Sequence, residues 1–196
     1  SPDDNYHLGS IWCPRPSGDS CQTSVVDGDP VVRVPIAVAD ESMRCYVLQS
    51  NKSAGCALGY DDSHMVWSKR FDNGAYPIGY YHFHHLLVGK DVQTSVLVMR
   101  GVNVLIAVAV LGAVGLCAPH GLRRPFIGAI VASWVPMGVY FIASNNPSSW
   151  AVSGLMAYSS ATYMATQQKG RRRIALVLCA VIGAVMCLTS RYDAAF

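Results

Sequence analysis

The sequence predicts an all-α integral membrane protein with about four transmembrane helices and a small, disulfide-stapled, loop-rich N-terminal region containing short β-strands. Three observations carry that prediction. The 196 residues are 52% hydrophobic and only 14% charged, against about 25% charged in soluble domains. Four apolar runs follow in close succession from Val92 to Thr189. The polar stretch before them holds Cys13, Cys21, Cys45 and Cys56, the pattern of a small exported region. The predicted divisions are an extracytoplasmic loop domain over 1–75, an interfacial helix over 76–91 and a transmembrane region over 92–196.

In the head, Gly, Pro, Ser and Asp are frequent from Pro14 to Asp62. Val31–Ile36 and Arg44–Leu48 have strand composition, and Pro30 and Pro35 restrict the first to a sheet edge. So many breakers in under a hundred residues leave little core, which makes the head depend on its disulfides. Four cysteines allow three pairings. The local ones, Cys13 with Cys21 and Cys45 with Cys56, each close a loop of about ten residues, worth roughly 2.5 to 3 kcal/mol in the entropic model. Zinc is the competing use of these thiols. The absence of a Cys-x-x-Cys pair and the oxidising compartment argue against it.

Tyr76, Tyr80, Tyr81 and Phe83 form an aromatic cluster of the kind that settles at headgroup level. His82 and His85, three residues apart, can share a helical face there, either as hydrogen-bonded groups or as ligands.

The spans are predicted over 92–117, 126–143, 150–166 and 174–189. Val92–Cys117, at about 1.5 Å per residue, reaches about 39 Å and crosses a hydrocarbon core of about 30 Å with tilt. The other three are close to the minimum length, and 150–166 is rich in Ser, Thr and Tyr, so its hydroxyls need neighbouring helices. Arg100 falls about 12 Å into the first span and Asn103 three residues later. A charge at that depth is a functional candidate, here for an anionic headgroup or phosphate. The alternative is that Arg100 snorkels to the outer surface.

Charge sets orientation. From Val92 onward the sequence has eight Lys or Arg and a single acid, Asp193. His120, Arg123 and Arg124 lie between the first two runs, and Lys169, Arg171, Arg172 and Arg173 between the last two. The positive-inside rule makes both connections cytoplasmic. The head, the Asn145-Asn146-Pro147 turn and Arg191 then face outward, in a multi-pass protein of the plasma membrane. Basic charge confined to short connections gives no reason to expect nucleic acid.

The opening Ser1-Pro2-Asp3-Asp4-Asn5-Tyr6-His7 places two adjacent carboxylates and a histidine together. They form either an acid–base or cation site, or a solvated turn capping a helix that begins near Tyr6. Pro2-Asp3-Asp4-Asn5-Tyr6-His7 resembles the Pro-Asp-Glu-x-x-His pattern of a family of bacterial multi-pass membrane proteins, domain-of-unknown-function family 2142. Asn73–Tyr81 resembles its Tyr-Pro-Pro-x-x-Tyr-Tyr element, with Ile78 in place of a second Pro. Asn145–Ser149 and Ser190–Phe196 are similar to two later elements, in the same order.

That family is similar to the C-fold membrane glycosyltransferases, which take sugars from polyprenyl-phosphate carriers at the outer face. The resemblance implies that Asp3 and Asp4 match the acidic pair that serves as general base or binds a divalent cation, Mg or Mn. His7 matches the family histidine and is a further ligand candidate. Arg100, Asn103 and Arg191 join His7 as substrate-binding candidates, the arginines facing the leaving phosphate. Because the motif follows a membrane helix in the family, and members continue through further spans, the resemblance implies a fragment.

The functional expectation is a glycosyltransferase-like enzyme in contact with membrane lipid. The alternative is a non-enzymatic, membrane-anchored binding or envelope-assembly protein, because the head is more elaborate than a catalytic loop requires. Transport is disfavoured by the few ionisable residues in the spans.

Overall fold

The computed structural model describes residues 4–15, 21–39, 49, 51–53, 56, 63–134 and 136–195. They belong to two compact units, Ser1–Met99 and Arg100–Phe196.

The first unit opens with helix α1 (Asp4–Trp12), followed by strands β1 (Thr23–Val26), β2 (Asp29–Pro35) and β3 (Met65–Ser68). The strands form an antiparallel sheet in the order β1-β2-β3. Asp27 and Gly28, with φ of 55° and 85°, form the two-residue turn joining β1 to β2. Two successive positive φ values match the twist of a hairpin, and an Asp-Gly pair supplies them at little cost. β2 is therefore the central strand and not the edge expected from its prolines. Pro30 pairs only with Val25 of β1, and Pro35 only with Met65 of β3. Each proline has a neighbour on one side alone, so its missing N–H is tolerated where no strand adjoins. Arg44–Leu48 lies outside the described residues.

Cys13 and Cys21 are disulfide-bonded, with Cα atoms 5.4 Å apart, as the local pairing predicts. Cys56 is disulfide-bonded as well, and Cys45 lies outside the described residues. Helix α2 (Gly79–His85) occupies the predicted interfacial segment and buries Tyr80, Tyr81 and His84.

Helix α3 (Val92–Cys117) has the predicted bounds. Asp91 starts it: its Oδ1 accepts the Thr94 amide at 2.6 Å, the N-cap bond that satisfies one orphan donor. Arg123 finishes it by donating Nε to the Gly115 carbonyl at 3.0 Å and Nη2 to that of Leu116 at 2.9 Å. A cation on the last carbonyls opposes the negative end of the helix dipole.

In the second unit, the expected single span over 126–143 is two helices, α4 (His120–Ser133) and α5 (Pro136–Ile142), at 90° to each other. Pro136 has no amide N–H with which to continue the α4 ladder, so the helix ends before it. Helices α6 (Ser148–Thr166) and α7 (Gly170–Ser190) follow, a little longer than predicted, with a 3₁₀ turn at Asp193–Ala195. Among the described residues only α3 and α7 are by themselves long and apolar enough to cross a membrane, or three spans if α4 and α5 count together. Four are therefore not reached. The hydroxyls of Ser149, Ser153, Ser159, Ser160, Thr162 and Thr166 make α6 too polar.

α6 and α7 meet through small residues. A Cβ placed on Gly154 would lie 2.8 Å from the Gly183 carbonyl oxygen, and one on Gly183 would lie 2.6 Å from that of Gly154. Buried Ala157, Ala161, Ala180 and Leu176 extend the contact. Close backbone approach between small residues is how helices associate where lipid removes the hydrophobic drive.

Candidate functional site

The start of the chain is held by a carboxylate 66 residues away from Tyr6. The carboxylate of Asp72, only 1% exposed, accepts five bonds. Arg15 Nη2 donates to its Oδ2 at 2.8 Å. Its Oδ1 accepts the amides of Gly74 at 3.2 Å, Ala75 at 2.8 Å and Tyr76 at 3.2 Å, and the Tyr6 hydroxyl at 3.4 Å. Burying a charge is tolerated when its lone pairs are filled in this way. Gly74 takes φ of 115°, a conformation that favours glycine, and so lets the loop curl its amides around the carboxylate.

Helix α1 lies against this loop. Ser10 Oγ accepts the Asp72 amide at 2.7 Å and donates to the Tyr6 carbonyl at 2.8 Å. A Cβ on Gly9 would come within 2.6 Å of the Arg70 carbonyl oxygen, so only glycine allows the helix this close. His7, 2% exposed, shares a 3.0 Å hydrogen bond between Nδ1 and the Tyr81 hydroxyl. Its ring meets that of Tyr76 edge-on at 5.2 Å.

The α2 histidines serve the same joint. Because a carbonyl can only accept, each ring nitrogen facing one carries the proton. His85 Nδ1 donates to the Ile11 carbonyl and His82 Nε2 to that of Arg15, both at 2.8 Å, while His84 Nδ1 donates to Tyr80 at 2.9 Å. Of the two roles open to these histidines, hydrogen bonding is the one the geometry displays. Among the described residues no group of three His, Cys, Asp or Glu is placed to hold a metal ion.

Burial, then the Asp72 charge, pushes the Tyr6 phenol up to about 12. The same two causes raise Tyr81. A phenol ionises near 10 when unfolded, so the stability that Tyr6 contributes is complete below pH 10 and is lost as pH rises through about 12. Ultraviolet difference titration should place Tyr6 and Tyr81 among the late phenols that ionise together with unfolding of the head, and a Tyr6→Phe variant should show one fewer.

The remaining predicted residues fall as follows. Asp3 lies outside the described residues. Asp4 is the first residue of α1. In the second unit, Asn103 is buried, and both ends of its amide are engaged. Nδ2 donates to the Ser144 carbonyl at 2.9 Å, and Oδ1 accepts from Trp150 Nε1 at 3.0 Å. Arg100 lies one turn earlier on α3 and is half-buried. Arg191 donates through Nε and Nη2 to the two Asp193 oxygens, each at 2.8 Å, and through Nη1 to Ser148 Oγ at 3.0 Å. This pairing holds the Asp193 carboxyl below its usual range and offsets the arginine's charge.

Asn103 and Arg191 thus flank the Asn145–Ser149 turn that begins α6. Ser149 Oγ is buried there with no hydrogen-bond partner among the described residues. Sequence reasoning missed Asp72, Ser10 and Arg15, whose only local signal is an Asp two residues before a glycine.

A family model described as a predicted membrane protein, DUF2142, matches residues 1–195. No curated protein and no solved structure matches the chain.

Proposed function

This chain belongs to the DUF2142 family of predicted membrane proteins, and from that premise we propose that it forms the carboxylate end of an enzyme that moves a sugar from a polyprenyl-phosphate donor outside the cytoplasm. One observation supports the reading most directly. The helix that begins at Asp4 is fixed within two turns by Tyr6, His7 and Ser10, through Asp72 and Tyr81. General-base catalysis needs such fixed placement, because a carboxylate displaced by about 1 Å loses about a hundredfold in rate. In this proposal Asp3 or Asp4 takes the proton of the acceptor hydroxyl as its oxygen attacks the sugar, and the lipid phosphate departs. His7 positions the acidic segment through Tyr81. A divalent cation, where used, would bind Asp3 and Asp4 through hard oxygen ligands.

The test is transfer from a polyprenyl-phosphate sugar by the protein in membranes, with Asp3→Asn and Asp4→Asn. A loss of at least about a hundredfold in one of them, at unchanged membrane abundance, is expected for a general base. Unchanged turnover in both would overturn the catalytic assignment. A binding role is the second reading, favoured by Met65 and Trp67, exposed by 41% and 45% on the β3 edge strand. An exposed aromatic on a strand whose outer edge has no partner among the described residues suits a protein partner.

A further inference from the structure

A groove of about 340 Å³ runs along the α6–α7 hairpin, and Arg173 stands at one end of it. Its walls are Val177 and Val181 of α7 and Tyr158, Thr162 and Thr166 of α6. On α7, residues 173, 177 and 181 succeed one another every fourth position, so the arginine and the valines lie on one stripe.

The surrounding charge is unbalanced. Lys169, Arg171, Arg172 and Arg173 crowd the first turn of α7, where no acidic residue is present. The positive end of the helix dipole lies among them and adds to their repulsion. No side chain of the four has a hydrogen-bond or ion-pair partner among the described residues. From Val92 onward the one acidic side chain in the sequence is Asp193, which is committed to Arg191. Topology can account for the number of these cations. It does not account for one of them heading an apolar groove with threonine hydroxyls beside it.

We propose that this groove binds an anionic phospholipid of the surrounding bilayer, its phosphodiester at Arg173 and an acyl chain along Val177 and Val181. Basic pockets on membrane-crossing helices hold acidic headgroups in this manner, and α7, long and apolar enough to cross, carries both the arginine and the valine stripe. The walls bring the Thr162 hydroxyl and no carboxylate to repel the phosphate; the Thr166 hydroxyl already donates to the Tyr163 carbonyl. The site is separate from the acidic cluster of α1 and does not depend on the transferase reading.

The test uses the full chain, delipidated in neutral detergent, with native mass spectrometry counting retained dioleoyl phosphatidylglycerol or dioleoyl phosphatidylcholine. Phosphatidylglycerol should be retained preferentially, and inorganic phosphate should not displace it. Arg173→Gln should weaken its retention about fivefold, the effect of one basic residue at an anionic surface. Val181→Trp, which fills the groove from an exposed position, should also weaken it. Arg171→Gln, an exposed residue outside the groove, should leave it unchanged. Thermal melts identical to wild type confirm that each variant is folded. Equal retention of the two lipids would overturn the proposal, as would equal losses from Arg171→Gln and Arg173→Gln, or tighter retention of a polyprenyl phosphate than of phosphatidylglycerol.

Discussion

Asp72→Ala should detach helix α1 from the head and cost about 3 to 5 kcal/mol, the range for removing one partner of a buried ion pair. The loss has several parts. Arg15, whose side chain is about two-thirds buried, keeps its charge without its carboxylate. The amides of Gly74, Ala75 and Tyr76 lose their common acceptor, and so does the Tyr6 hydroxyl. Asp72→Asn should cost less, because an amide oxygen can still accept from the loop while the charge is lost. Amide hydrogen exchange is the direct measurement: protection at Ala75 and Tyr76 should vanish in the alanine variant and persist partly in the asparagine one. Unaltered protection in Asp72→Ala would show that the loop stands without its carboxylate.

Gly183→Leu should separate α6 from α7. The first added carbon already meets the Gly154 carbonyl oxygen at 2.6 Å and the Tyr158 amide nitrogen at 2.7 Å. Both are backbone atoms in helices, so they cannot swing aside as a side-chain tip would. Overpacking usually costs about 1 to 3 kcal/mol, and a collision with backbone on both sides belongs at or above the top of that range. Gly101→Leu is the matched control, because a Cβ there meets nothing within 4 Å. In detergent, Gly183→Leu should melt well below wild type, whereas Gly101→Leu should behave as wild type. Equal melting of the two would remove the close crossing as a source of stability.

The sequence displays some of this architecture openly and conceals the rest for physical reasons. α3 could be bounded at both ends because its 26-residue, mostly apolar run stops at Asp91 and at Ala118-Pro119. The local Cys13–Cys21 pair was likewise legible from spacing. The break at Pro136 was not, since apolar residues on both sides of it give one unbroken hydropathy signal. Asp27-Gly28 carries a hairpin signal, but β1 is only four residues long and exposed throughout, so no alternation marks it as a strand. The joint of the head was hidden most completely. Asp72 acquires its role from residues 57 to 66 positions away, and the α2 histidines from carbonyls of Ile11 and Arg15. No local pattern encodes a backbone carbonyl that arrives from elsewhere in the fold.

The right-angled break between α4 and α5 bears on what must surround it. A continuous helix answers its own backbone groups, whereas two helices meeting at 90° each end in backbone groups that their own ladders do not satisfy. Hydrocarbon offers them nothing, and each unanswered group costs several kcal/mol there. A corner of this kind is stable at bilayer depth only where water or further protein reaches it. If α4 and α5 together make one span, the bend between them must face water or further protein and not lipid tails.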